Sequence, residues 1–239
     1  MKTNLALLGC GTFGYDLASC LSQSVGKENL YLTNRNESLR EKYGLEFPYV
    51  TVDNQEAVQQ SDLVCVLVRP QQVNNMLREI NVSNDKLVVN FTPKRLDLDK
   101  PLVQVASSPV IEGRIRVLLY QKNKNVTDEQ LRKFREVFIP VTDYFVECDD
   151  SVRELGIMSQ VYAHLVSYYD VLVNEGVNPE NLKTYFDLAC KSLQKPKEKV
   201  RTKRGLTDTL FDFQESNLPD FVNSEREALE ERLQWIQTE

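Results

Sequence analysis

Short apolar runs alternate with amphipathic stretches along residues 1–149 of the chain. The apolar runs of strand length are Leu5–Leu8, Leu30–Thr33, Tyr49–Val52, Leu63–Val68, Leu87–Phe91, Leu102–Ala106, Ile115–Tyr120 and a last run in "DYFVEC". Between several of them the apolar residues recur at helical spacing, as in "VNNMLREI". Strands that alternate with helices predict right-handed βαβ crossovers, so we expect an α/β fold with a doubly wound, mostly parallel sheet.

The pattern changes after Asp149, where helical periodicity replaces alternation. Leucine, methionine and tyrosine recur at spacings of three and four through "VRELGIMSQVYAHLVSYYDVLV", which predicts one long helix. Gly176 is placed to end that helix, and Asn178 and Pro179 have the types preferred at the N-cap and first position of the next. We therefore divide the chain into an α/β domain, residues 1–149, and a smaller all-helical domain, residues 150–239. The apolar residues at these spacings would form one face of the predicted long helix. Such a face could pack in an intramolecular core or in a homodimer interface.

Composition narrows the classes of partner and of chemistry. The formal net charge is −6 and basic residues are interspersed with acidic ones, which argues against a nucleic-acid partner. No apolar run reaches the ~20 residues that cross a bilayer, and the N-terminus lacks a leader pattern, so we expect a cytoplasmic protein without a membrane partner. The five cysteines form no CxxC pair and His164 is the only histidine, so we expect no metal site.

A glycine-rich turn follows the first strand in "LALLGCGTFGYDL". Gly9, Gly11 and Gly14 have the GxGxxG spacing between a predicted strand and a predicted helix, which is the context of a dinucleotide-binding turn. The first glycine permits the turn, the second lets a pyrophosphate approach the backbone, and the third allows helix and strand to pack closely. The alternative is a turn kept for packing alone.

The end of the second strand bears on the choice of nucleotide. Asn34 and Arg35 occupy the corner where a carboxylate holds the ribose of NAD, and an arginine there favours the 2'-phosphate of NADP. In the alternative, Arg35 is a solvated loop residue and Glu37 holds the ribose. Arg69 and Pro70, after the fourth strand, are expected at the same edge of the sheet.

Four stretches, "GCGTFG", "LTNRNE", "DLVCVLVRPQQVNNMLREI" and "LVVNFTP", together resemble the N-terminal half of the pyrroline-5-carboxylate reductase family. In that family "VRPQ" has lysine for arginine. The resemblance implies an NADP-binding Rossmann domain, a dimerising helical domain and hydride transfer to a cyclic imine, a small-molecule substrate, to give proline. The cofactor contacts that it implies are Gly9, Gly11, Thr12, Phe13, Gly14, Asn34, Arg35, Val68, Arg69 and Pro70.

Two further segments resemble the family more faintly. In "VQVASSPVIEG", Ser107 and Ser108 stand where the family's asparagine and threonine approach the nicotinamide and the substrate. In "VRTKRGLTDTL", Lys203 falls in the substrate loop and Thr207 matches the threonine whose hydroxyl approaches the imine nitrogen. The resemblance thus implies a catalytic role for Thr207 and substrate contacts from all of these residues.

The chain also departs from the family. Bulky Ile157 and Met158 replace small residues at the start of the long helix, and Lys203 and Arg204 replace a proline and a glycine of the substrate loop. With these changes the chain also resembles the reductase-like paralogues found beside competence genes in some Gram-positive bacteria. This resemblance is looser than the one to the family as a whole. Three alternatives therefore stay open: an NADP-dependent reductase, a non-catalytic nucleotide-binding regulator or scaffold, and a related reductase with another redox cofactor or substrate.

Overall fold

The computed structural model describes residues 3–150, 173–174 and 176–181. Residues 3–150 lie in one compact unit. Its strands are β1 (Leu5–Leu8), β2 (Leu30–Thr33), β3 (Tyr49–Thr51), β4 (Leu63–Val66), β5 (Leu87–Asn90), β6 (Leu102–Ser107), β7 (Val110–Ile111), β8 (Arg114–Lys122) and β9 (Thr142–Glu147). Its α-helices are α1 (Thr12–Val25), α2 (Glu37–Gly44), α3 (Asn54–Gln59), α4 (Val73–Glu79) and α5 (Asp128–Phe138). Short 3₁₀ turns lie at Lys27–Asn29, Pro70–Gln72 and Ile139–Val141.

Within residues 3–150 the strands form one sheet in the order β3-β2-β1-β4-β5-β6-β8-β7, and β9 pairs with β8. Strands β1 to β6 are parallel to their neighbours in this order, β8 is antiparallel to β6, and β9 is parallel to β8. The predicted doubly wound, mostly parallel sheet of Rossmann type is therefore confirmed. Because the strand order reverses between β1 and β4, their carboxyl ends mark the place where such sheets bind ligands.

Strand β1 shows why the sheet is covered on both faces. Leu5 and Leu7 pack into an apolar cluster with residues of α1 and α5, whereas Ala6 and Leu8 pack into a second cluster with residues of α3 and α4. Side chains of a strand alternate between faces, so a continuous apolar run is buried only if helices cover both. All four side chains of β1 are fully buried.

The second half of the unit matches the sequence predictions with one exception. Thr127 and Gln130, which have the spacing typical of a capping box, form one at the start of α5. The hairpin of β7 and β8 was not predicted. Its two-residue loop, Glu112 and Gly113, has positive φ at both positions (51° and 72°), which matches the twist of a tight hairpin. Only the glycine signals that conformation in the sequence.

The predicted break after the long helix is seen in residues 173–181. Gly176 has a φ of 88° and its N–H donates to the carbonyl of Val173. The Asn178 side chain accepts hydrogen bonds from the N–H groups of Glu180 and Asn181, so its prediction as an N-cap is confirmed. The remainder of the predicted helical domain, residues 151–172, 175 and 182–239, lies outside the described residues. Among the described helices, none is long and apolar enough to span a bilayer.

Candidate functional site

The turn after β1 depends on glycine at position 9. Gly9 has a φ of 79°, and a Cβ added there would lie 2.3 Å from Cγ1 of Val68, which follows β4. An L-residue would be strained in this conformation and would also displace Val68. The first glycine of the motif thus allows the chain leaving β4 to pass directly over the turn.

The other two glycines of the motif have different surroundings. Among the described residues, a Cβ added to Gly11 would meet nothing within 4 Å, so this part of the chain leaves the backbone at the start of α1 open to a ligand. A Cβ added to Gly14 would lie 3.0 Å from Sγ of Cys10 and 3.2 Å from Cδ1 of Leu67. Gly14 therefore serves close packing, and Gly11 leaves space for an approaching group.

The N-terminus of α1 has the properties of an anion-binding site. Gly11 is its N-cap and offers no side-chain cap, and the first turn contains no acidic residue. The first N–H groups of a helix lack partners inside the helix and carry the positive end of its dipole. This arrangement favours a phosphate at the glycine turn.

Hydrogen bonds from one buried side chain and two half-buried ones fix the turn from the neighbouring elements. The hydroxyl of Thr33, at the end of β2, accepts from the N–H of Gly9 at 3.1 Å and donates to Oδ1 of Asn54 at 2.6 Å. The Nδ2 group of Asn34 donates to the carbonyl of Cys10 at 2.6 Å. Asn34 thus positions the turn itself, and Thr33 and Asn54 are supporting residues that the sequence reasoning missed.

These elements enclose a cleft of about 590 Å³ at the carboxyl ends of β1 to β4. The predicted cofactor residues that line it are Gly9, Gly11, Asn34, Arg35, Val68 and Arg69. Further lining residues, which the sequence reasoning missed, are Thr33, Asn36, Val52, Asn54, Leu67, Gln72, Asn75 and Met76. Glu37, the alternative ribose partner, is absent from the lining, as are the predicted contacts Thr12, Phe13, Gly14 and Pro70.

The predicted residues outside the lining have other places in the fold. Phe13 packs against Phe91 with ring centroids 6.1 Å apart, which joins the first turn of α1 to the end of β5. Pro70 opens a 3₁₀ turn that leads into α4, where the fixed φ and missing N–H of proline suit the start of a helix.

The cleft carries two cationic side chains, those of Arg35 and Arg69. The guanidinium of Arg35 is exposed and forms an ion pair with Glu79 at 2.7 Å. Arg69 is exposed and makes no ion pair among the described residues. Arginine recognises phosphate through several donors at once, so this charge distribution suits an anionic ligand.

The predicted substrate residues are not brought to this cleft. Ser107 pairs with Leu118 in the ladder of β6 and β8. The Ser108 hydroxyl accepts from the N–H groups of Arg116 and Val117 at 3.1 and 3.2 Å, so it holds the start of β8. Lys203 and Thr207, like Ile157, Met158, His164 and Arg204, lie outside the described residues.

The described cysteines are reduced and structural. Cys10, Cys20 and Cys65 are buried and Cys148 is half-buried, and none of them is in a disulfide. Burial, reinforced by the charge of Asp16, raises the pKa of the Cys10 thiol to about 12. The thiol beside the glycine turn is therefore protonated at neutral pH and is a poor nucleophile or metal ligand. No cluster of three or more potential metal-ligating side chains occurs within the described ranges.

The chain matches known proteins in sequence and in fold, over the α/β unit and beyond it. Residues 4–94 match the model of a family described as NADP oxidoreductase, coenzyme F420-dependent. The chain is 28% identical over 198 residues to pyrroline-5-carboxylate reductase of Corynebacterium melassecola, covering 74% of this chain and 71% of the relative. It is 25% identical over 189 residues to the enzyme of that name from Aquifex aeolicus, covering 74% and 70%. The fold is similar to that of Plasmodium falciparum pyrroline carboxylate reductase with NADP bound, with a TM-score of 0.75, 17% identity and 98% of each chain covered.

Proposed function

We propose that the chain is a divergent member of the pyrroline-5-carboxylate reductase family and that it acts as an NADP-dependent reductase of a cyclic imine or a related small acid. The observation that carries the proposal is the cleft itself. An open helix N-terminus at Gly11 and a guanidinium at the end of β2 line the same cavity.

The residues of the cleft fit the parts of NADP. The N–H groups at the start of α1 would hold the pyrophosphate, for which Gly11 leaves the backbone uncovered. Arg35 lies at the end of β2, where the 2'-phosphate of NADP is bound in folds of this type. NADP therefore suits the cleft better than NAD, because the corner offers a cation and Glu37 does not line it. When bound, the reduced cofactor supplies the hydride.

The protein has a limited chemical task in such a reaction. It must hold the nicotinamide against the electrophilic carbon of the imine, exclude water, and offer a donor to the imine nitrogen. We propose the Thr207 hydroxyl as that donor, with Lys203, Ser107 and Ser108 as substrate residues. Support for these roles comes from the family resemblance, and for Ser108 the bonds to the backbone of β8 argue for a structural part as well.

The direct test is turnover of the purified full chain. With NADPH and pyrroline-5-carboxylate, we expect loss of the reduced-nicotinamide absorbance and formation of proline in equal amounts. A Thr207→Val variant keeps the shape of the side chain, so it should bind NADPH normally and lose most of the turnover, whereas Thr207→Ser should retain part of it. NADPH binding without oxidation of the cofactor by this imine or related small acids would instead support the non-catalytic regulator.

We further propose that the chain acts in the cytoplasm as a homodimer through its helical domain. Support comes from the spacing of three and four between apolar residues in "MSQVYAHLVSYYDVL", which predicts a helix with one apolar face, and from the resemblance to the family. Sedimentation of the purified protein tests the dimer, which a monomer at micromolar concentration would refute.

A further inference from the structure

The arginine of the cleft is held by an acidic residue that the proposed cofactor does not require. Glu79 is the last residue of α4, one turn beyond Asn75, and side chains at this spacing share one face of a helix. Asn75 and Arg35 both line the cleft. Glu79 therefore lies on the side of α4 that borders the cleft, where its charge acts on Arg35.

The geometry of the pair leaves most of the guanidinium available. A single nitrogen of Arg35, Nη2, donates to both carboxylate oxygens of Glu79, at 2.8 and 2.7 Å. Within the described residues, Nη1 and Nε of Arg35 have no hydrogen-bond partner. A second anion could thus contact the free edge of the guanidinium, but it would stand close to the carboxylate.

The backbone that carries Arg35 is fixed independently of this pair. Nη1 of Arg40 donates to the carbonyls of Asn34 and Arg35 at 3.0 and 2.9 Å, which ties the corner to α2. The side chain of Arg35 is 70% exposed, and Glu79 is the acidic partner that the structure gives it. Removing the carboxylate would therefore free the guanidinium without releasing the loop.

We infer that Glu79 is an internal counter-ion for Arg35 whose charge opposes binding of a nucleotide 2'-phosphate there, and that it lowers the preference of the cleft for NADPH over NADH. The inference rests on the proposed function, because it assumes that the 2'-phosphate binds at Arg35. A phosphate carrying about two negative charges is repelled by the carboxylate and competes with it for the same cation. A 2'-hydroxyl is neutral, so the carboxylate does not oppose the binding of NADH in this way.

The test compares Glu79→Gln with wild-type protein in titrations of the full chain with NADPH and NADH. We expect the variant to bind NADPH about two- to fivefold more tightly, the range that an exposed ion pair supports. Its affinity for NADH should change less than twofold. The variant should also bind adenosine 2',5'-bisphosphate more tightly than the wild type does, whereas its affinity for adenosine 5'-diphosphate should be unchanged. The gain should shrink in ~1 M salt, which screens charges beyond about 3 Å.

A matched control is Glu136→Gln on α5. Glu136 is also an exposed glutamate paired with an arginine, Arg132, at 2.6 Å, and it does not line the cleft. This variant changes the net charge equally, so its nucleotide affinities should equal those of the wild type. In a double-mutant cycle, Arg35→Gln should abolish most of the gain from Glu79→Gln.

The outcomes separate the inference from its premise. If wild-type protein binds neither nucleotide, the proposed function fails. If it binds NADPH in an Arg35-dependent way and Glu79→Gln binds NADPH no more tightly, the proposed function stands and the counter-ion role is wrong. An equal gain from Glu136→Gln would also overturn the inference, because the effect would then come from net charge alone.

Discussion

Replacing Gly9 by alanine should destabilise the protein far more than its one-carbon change suggests. The added Cβ would lie 2.3 Å from Cγ1 of Val68 and would sit on a backbone with a φ of 79°. The left-handed conformation costs about 1–2 kcal/mol in an L-residue. Forcing an extra carbon into a packed site costs about 1–3 kcal/mol. The expected loss is therefore about 2–5 kcal/mol, if the two costs add.

Thermal unfolding followed by circular dichroism measures this loss. For a chain of this size, each kcal/mol lowers Tm by about 2–4 °C, so Gly9→Ala should melt roughly 4–20 °C below the wild type. Val68→Ala removes the nearest carbon, so the double variant should recover part of the loss relative to the sum of the single variants. The strain from the positive φ should remain.

Two other glycines provide matched controls. Alanine at Gly44, near the end of α2, would meet nothing within 4 Å and should leave Tm unchanged or slightly higher. Alanine at Gly11 also meets no described residue within 4 Å, so it should cost under about 1 kcal/mol of stability while weakening nucleotide binding. If Gly9→Ala melts with the wild type, or if Gly11→Ala is destabilised as strongly, this account of the turn is refuted.

Further predictions concern the supports of the cleft and the sheet. Thr33→Val leaves the N–H of Gly9 without its acceptor, so the free energy of unfolding measured in urea should fall by about 1–3 kcal/mol. Thr33→Ser keeps the hydroxyl and should lose less stability. Equal losses in the two variants would show that the hydroxyl is not the cause. Cys10, with its pKa raised to about 12 by burial, should not react with a thiol reagent at pH 8 in the native protein, and rapid labelling without unfolding would contradict this. Partial burial raises the pKa of Asp62, but hydrogen bonds from the backbone N–H of Asn4 and from Lys133 lower it by more. The pKa of Asp62 therefore lies below 3.8. Because this pKa is depressed, the stabilisation is present above pH 3.8 and is lost as the pH falls through the folded-state value, so Asp62→Asn should flatten stability against pH only in that acidic range.

The elements of the α/β unit were largely predictable because each rests on a local pattern. The four fully buried residues of β1 form the apolar run that marks a strand covered on both faces, and the spacing of Thr127 and Gln130 identifies the start of α5. The hairpin at Glu112 and Gly113 was missed because glutamate rarely adopts a positive φ, so its sequence gives a weak turn signal.

The parts of the site that depend on a local backbone motif could be predicted from the sequence. The parts that depend on contacts between side chains of different elements could not. The glycine spacing identifies the turn, and the position of Arg35 after β2 identifies the corner. The chain from Gly9 through Thr33 to Asn54, and the pair of Arg35 with Glu79, join residues that are far apart in sequence. No periodicity or spacing within one segment reports such contacts, since they depend on how β2, α3 and α4 are placed around β1.

The central claim is that the cleft between the glycine turn and Arg35 binds NADP. The most direct measurement is a titration of the full chain with NADPH and NADH under identical conditions, repeated with Arg35→Gln. We expect NADPH to bind the wild type at least about tenfold more tightly than NADH, because Arg35 would contact the 2'-phosphate through charge-assisted hydrogen bonds. The Arg35→Gln variant should lose that difference. Equal affinity for the two nucleotides, a preference that survives in the variant, or no binding of either would contradict the account.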